Sequence, residues 1–114
     1  MSYEFPDEVE FFEKGFGYSC EYDHDEGLFS FIKTYENNEK LIFTHSPFMN
    51  NSVSVKLFYG TELVFHIYKE EITRIAFQAW GGELVLRVYL ANDDNNFLVS
   101  FEPKPRLRYV EPNI

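Results

Sequence analysis

The side chains in this sequence that could do chemistry are mostly carboxylates, and they crowd near its start. Glu21-Tyr22-Asp23-His24-Asp25-Glu26-Gly27 is the densest run. Asp23, Asp25 and Glu26 ahead of a glycine share the opening of a calcium loop. Such a loop needs about a dozen positions ending in a bidentate glutamate, and here the chain returns at once to Leu28-Phe29-Ser30. The run therefore reads as a solvated hairpin end that presents carboxylates. His24, His45 and His66 show no His-x-His or His-Glu-x-x-His spacing, so no metal site is expected. Cys20 is the sole cysteine, which excludes an internal disulfide and a cysteine zinc cluster. Gly15-Phe16-Gly17 lacks the third glycine and the preceding strand of a dinucleotide site. Acid–base hydrolysis needs two carboxylates in opposed environments, and nothing singles out such a pair. The expectation is a protein without catalytic residues, metal or cofactor.

The charge is unevenly placed. The chain has 114 residues, 19 acids against 10 bases, and a net charge of −9. Residues 1–40 hold eleven acids and three bases, so nearly all of the excess sits there. That balance argues against non-specific grip on a nucleic acid backbone. It fits either plain solubility or a docking surface for a basic partner, whose encounter the field would speed. Lys104, Arg106 and Arg108 beside Tyr109 form a small basic patch, expected to pair internally or to line a solvated edge.

The elements that must carry these residues are short and mostly extended. Pro6 to Gly15 predicts one helix, opened by Pro and Asp and stopped by glycine, with Val9 and Phe12 on its inward face. From Tyr18 the period becomes two. Strands are expected at 18–23, 28–35, 40–45, 52–59, 63–69, 73–80, 83–90 and 97–102, with a short ninth at 107–110. Gly81-Gly82 is the sharpest hairpin signal. Alternation at Tyr18, Cys20 and Tyr22 places Cys20 in the core as a small hydrophobe. Leu28–Ile32 and Leu63–Ile67 are apolar on both sides, so both are expected to be central strands. The fold class is mainly β: an antiparallel sheet of eight to nine strands, as a sandwich or partly closed barrel, with one short N-terminal helix. No repeat or linker breaks the chain, so one domain spans 1–114.

The acidic runs Glu21–Glu26, Tyr35-Glu36-Asn37-Asn38-Glu39 and Asn92-Asp93-Asp94-Asn95-Asn96, with the length and the helix-then-strands layout, carry a resemblance in overall style. The chain resembles the small acidic immunity proteins that bacteria make beside toxins, including those of contact-dependent growth inhibition systems. The resemblance implies a cytoplasmic inhibitor that binds one cognate basic toxin, often a nuclease, and blocks its active site. No direct contact with nucleic acid is expected, on the ground of the net charge of −9. Carboxylates on rigid turns can occupy phosphate positions of such a toxin, while Tyr and Phe fill the dry centre. The partner-binding residues expected on this reading are Glu21, Tyr22, Asp23, Asp25, Glu26, Glu36, Glu39, Asp93 and Asp94.

Two other classes compete. Strands of this number can close around an apolar ligand, making a small-molecule binder. An uncovered aromatic face would instead suit an adaptor subunit or a weak homodimer, against a monomer otherwise. The start of the sequence has no basic and apolar leader, and no run is long enough to cross a bilayer, so no membrane role is expected.

Overall fold

The computed structural model of the chain describes residues 5–91 and 96–110. Asp93 and Asp94 lie outside the described residues. The chain is mainly β, with one short helix and nine strands among the described residues. It divides into two compact units, Asp7–Glu70 and the part from Glu71 onward together with Phe5 and Pro6.

In the first unit the helix α1 spans Glu8–Glu13. Asp7 caps it by accepting from the Glu10 amide at 3.0 Å, and Glu10 reciprocates in a capping box. The cap fixes the helix phase, and the phase differs from the expected one. Phe11 is the fully buried side chain, while Val9 is 60% exposed and Phe12 is exposed as well. A helix this short seats one aromatic well. Phe11 stacks on Phe31 at 4.0 Å and meets Phe16 edge-on at 5.5 Å.

Behind it runs a five-stranded antiparallel meander: β1 Gly17–Tyr18, β2 Phe29–Thr34, β3 Glu39–Ser46, β4 Ser52–Tyr59 and β5 Glu62–Lys69, in that spatial order. Phe31, Leu41, Phe43, Val53, Val55 and Leu57 line up across β2–β4 on one buried face. The first strand is far shorter than the expected 18–23. After Tyr18 the Ser19 amide donates to Ser30 and the chain turns, with Tyr22 N–H donating to the Ser19 carbonyl. Alternation stops there, so Cys20 is exposed and not a core residue. The second correction concerns Leu63–Ile67. It belongs to β5, an edge strand, where Val64 is 56% exposed. A bulge at that point leaves Val64 without a partner, since Leu57 faces Phe65 and Phe58 faces Leu63. An apolar run with no period cannot by itself separate a central strand from a bulged edge.

The second unit is a four-stranded antiparallel meander: β6 Ile72–Trp80, β7 Glu83–Leu90, β8 Asn96–Glu102 and β9 Arg106–Val110. Gly81 and Gly82 both have positive φ, 56° and 81°, which closes the expected two-residue hairpin with Trp80 opposite Glu83. Ile75, Leu86, Val88, Phe97 and Val99 form its buried face. Each sheet keeps two edge strands, β1 and β5 or β6 and β9, so neither is a closed barrel.

Candidate partner-binding surface

The acidic run is fastened to the first sheet by hydroxyls. Ser19 Oγ bonds Ser30 Oγ, and Ser30 Oγ lies 2.8 Å from Thr44 Oγ1, all three residues buried. The Ser19 hydroxyl also accepts from the Glu21 amide at 3.0 Å. Beyond it Asp23 and Leu28 exchange both backbone hydrogen bonds, at 2.9 and 2.8 Å, closing a tight turn. Inside that turn Asp23 Oδ1 accepts from the amides of Asp25 and Glu26, at 3.1 and 3.2 Å. Asp23 is thus spent on shaping the turn, an Asx-type use of the carboxylate. Asp25 and Glu26 point to solvent, and the Asp25 side chain is fully exposed.

Glu21 and Tyr22 are held more firmly. Glu21 pairs with Lys56 at 3.5 Å. The Tyr22 and Tyr18 hydroxyls both donate to Glu8, which holds that carboxyl below its usual range and raises both phenols. The Tyr22 ring packs on Phe29 and Phe31, at 6.2 and 6.1 Å.

A second turn lies against the first. Between β3 and β4 the chain exposes Phe48, 83% accessible, and Met49, 57%. Gly27 has φ +71°, and any side chain there would collide with the Phe48 ring, so the ring rests on the acidic turn. The Phe48 turn is stiff at its base. His45 is buried and its Nε2 lies 2.9 Å from Asn51 Oδ1. Because that oxygen can only accept, the ring is the Nε2–H tautomer. Burial pushes the imidazole down to about 4, against a smaller opposing effect of the Asn51 bond. Asn50 donates to Glu70 at 3.1 Å, and Tyr68 donates to the same carboxylate at 3.0 Å. The result is an exposed apolar knob beside Asp25 and Glu26, with Glu70 fixed at the foot of its turn. Large apolar surface inside a polar rim is the anatomy of a protein-binding patch.

The expected residues thus fall into separate places. Glu21, Tyr22, Asp23, Asp25 and Glu26 are together. Glu36 and Glu39 follow β2 and sit at its other end, roughly 20 Å away for a six-residue strand. Glu39 is taken up by Asn37, whose side-chain amide donates to it. Phe48, Met49 and Glu70 were missing from the sequence reading. The signal was there: two large apolar residues sit directly before the Asn50-Asn51 turn, where nothing buries them.

No protein-family model matches this chain, and no curated protein matches it. A solved structure does match its backbone, with a TM-score of 0.75 over 95% of this chain and 95% of that chain at 10% identity. It is a contact-dependent growth inhibition toxin–immunity protein complex from Klebsiella pneumoniae 342. At that identity the likeness is one of fold: the short helix and two antiparallel meanders are an architecture found in a toxin–immunity system.

Proposed function

We propose that this chain is an immunity protein that binds a cognate basic toxin domain and neutralises it without catalysis. The supporting observation is the backbone likeness to a chain of a toxin–immunity complex over nearly its whole length. The surface that suits the role is the paired turn of Asp25, Glu26, Phe48 and Met49. Carboxylates on a turn closed by its own hydrogen bonds lose little freedom on meeting a cationic site, and Phe48 supplies apolar area to bury. A nuclease is the toxin chemistry that fits best, because a site built for phosphates is cationic and can be blocked by fixed anions. In this reading the chain acts in the cytoplasm as a single domain.

The test is capture from extract of the native cell, using the tagged chain at low and high salt. The reading expects a basic protein, retained more strongly at low salt, whose toxicity on expression is relieved by this chain. Capture of a lipid or small apolar ligand, with no protein partner, would support the binder class and remove the proposal.

A further inference from the structure

We infer that the free edge of β5 pairs with its own copy, joining the first sheets of two chains across a two-fold axis. This pairing does not rest on the toxin reading. No strand among the described residues pairs with the outer edge of β5. Its Leu63, Val64 and Tyr68 side chains are all exposed. An open edge lined with apolar side chains is a template for a further strand.

The register says which strand fits. Residues opposite each other in a ladder share a face, so pairing with β4 sorts the side chains of β5. Glu62, Phe65, Ile67 and Lys69 stand opposite Tyr59, Leu57, Val55 and Val53, on the side of the buried face. Leu63, His66 and Tyr68 stand opposite Phe58, Lys56 and Ser54, on the other side. Val64 is the extra residue of the bulge. In an antiparallel pair whose two-fold axis is normal to the sheet, one residue faces its own copy. With His66 at that axis, Phe65 meets the partner's Ile67, Leu63 meets the partner's Tyr68, and Glu62 meets the partner's Lys69. Each of these pairs lies on one face and occurs twice. Strict alternation without the bulge would put Glu62 and Lys69 on opposite faces, and no two-fold register could bring them together. The irregularity in β5 is what makes its edge self-complementary.

The other edges do not have this property. β1 is two residues long, β6 has Arg74 as its one charge, and β9 has Arg106 and Arg108, which would set cation against cation. Glu62 and Lys69 have no ion-pair partner among the described residues, so both are available to the second copy. The net charge of −9 opposes self-association, but residues 62–69 hold one acid and one base. At physiological salt, charges more than about 8 Å apart are largely screened. One strand pair is a small interface, so the dimer is weak and forms at high concentration.

The test is sedimentation equilibrium of the full chain at physiological salt, up to about 0.5 mM, with amide exchange read at low and high concentration. The inference expects a monomer–dimer equilibrium and, in the first sheet, concentration-dependent protection confined to β5. Glu62→Lys and Lys69→Glu should each weaken the dimer about tenfold, because the contact occurs twice, and the two together should restore it. His66→Glu sets two carboxylates face to face at the axis and should weaken it by about the same factor. That variant decides the matter if Lys69→Glu does not fold. A chain that stays monomeric, a dimer unmoved in the folded single variants, or one that the double variant fails to restore overturns the inference. So does protection of β5 that appears only with the captured basic protein, since the occupant would then be a strand of that protein.

Discussion

His45 ties the pH response of the fold to the turn that carries Phe48. Its imidazole is buried and neutral, with a folded value of about 4 against 6.5 in the open chain. As pH falls through 6.5 the unfolded chain takes up a proton that the folded chain refuses. Stability is therefore undiminished above that point, declines between 6.5 and about 4, and loses nothing more from this group below it. Linkage gives a loss of about 2 kcal/mol by pH 5 and about 3 kcal/mol when complete. The assay is urea unfolding at pH 7.5 and pH 5, run on the native chain and on His45→Gln, whose amide still donates to Asn51. Carboxylates contribute equally to both proteins, so the difference isolates the histidine. The stability gap between them should shift by about 2 kcal/mol in favour of the variant at pH 5. Equal slopes for the two proteins would refute the reasoning.

Phe11→Ala removes the ring stacked on Phe31 and should cost about 3–5 kcal/mol, read as a lower urea midpoint. Cys20 is exposed, so the native chain should react with a thiol reagent within about tenfold of the unfolded rate. Full protection would restore the core assignment. Gly27→Ala places a side chain at φ +71° against the Phe48 ring, at about 1–2 kcal/mol for the backbone conformation. It should lower the melting temperature and change the nuclear resonances of both turns, not of the acidic turn alone.

Most of the strand pattern was legible because period-two alternation and paired turn residues agree along the chain. Ser52–Tyr59 and Glu83–Leu90 stand as expected, and Gly81-Gly82 closes the hairpin between β6 and β7. The failures share a physical cause, which is that periodicity does not carry phase or neighbour identity. The Asp7 cap, not the apolar spacing, decides that Phe11 points inward. The backbone bond from Ser19 to Ser30 ends β1 and turns Cys20 out. The break between β5 and β6, which makes β5 an edge, leaves no mark in its composition. In the candidate site the acidic turn was legible, but its companion was not. Local sequence cannot say that the Phe48 turn comes to rest on Gly27. Nor could it show that Glu36 and Glu39 are carried to the far end of β2, or that Asp23 and Glu21 are already engaged.

That engagement decides which substitutions test the central claim. Reversing Asp23 would disturb the turn itself and reversing Glu21 would break its pair with Lys56, whereas the side chains of Asp25 and Glu26 take no part in closing the turn. The decisive measurement is the association rate between the captured basic partner and the chain carrying Asp25→Lys, Glu26→Lys and Phe48→Ala, across a salt series. Association should slow by about tenfold at low salt, with a flatter salt dependence, and dissociation should quicken by about tenfold or more from the loss of Phe48. A folded variant with rates and salt dependence like those of the native chain would contradict the account.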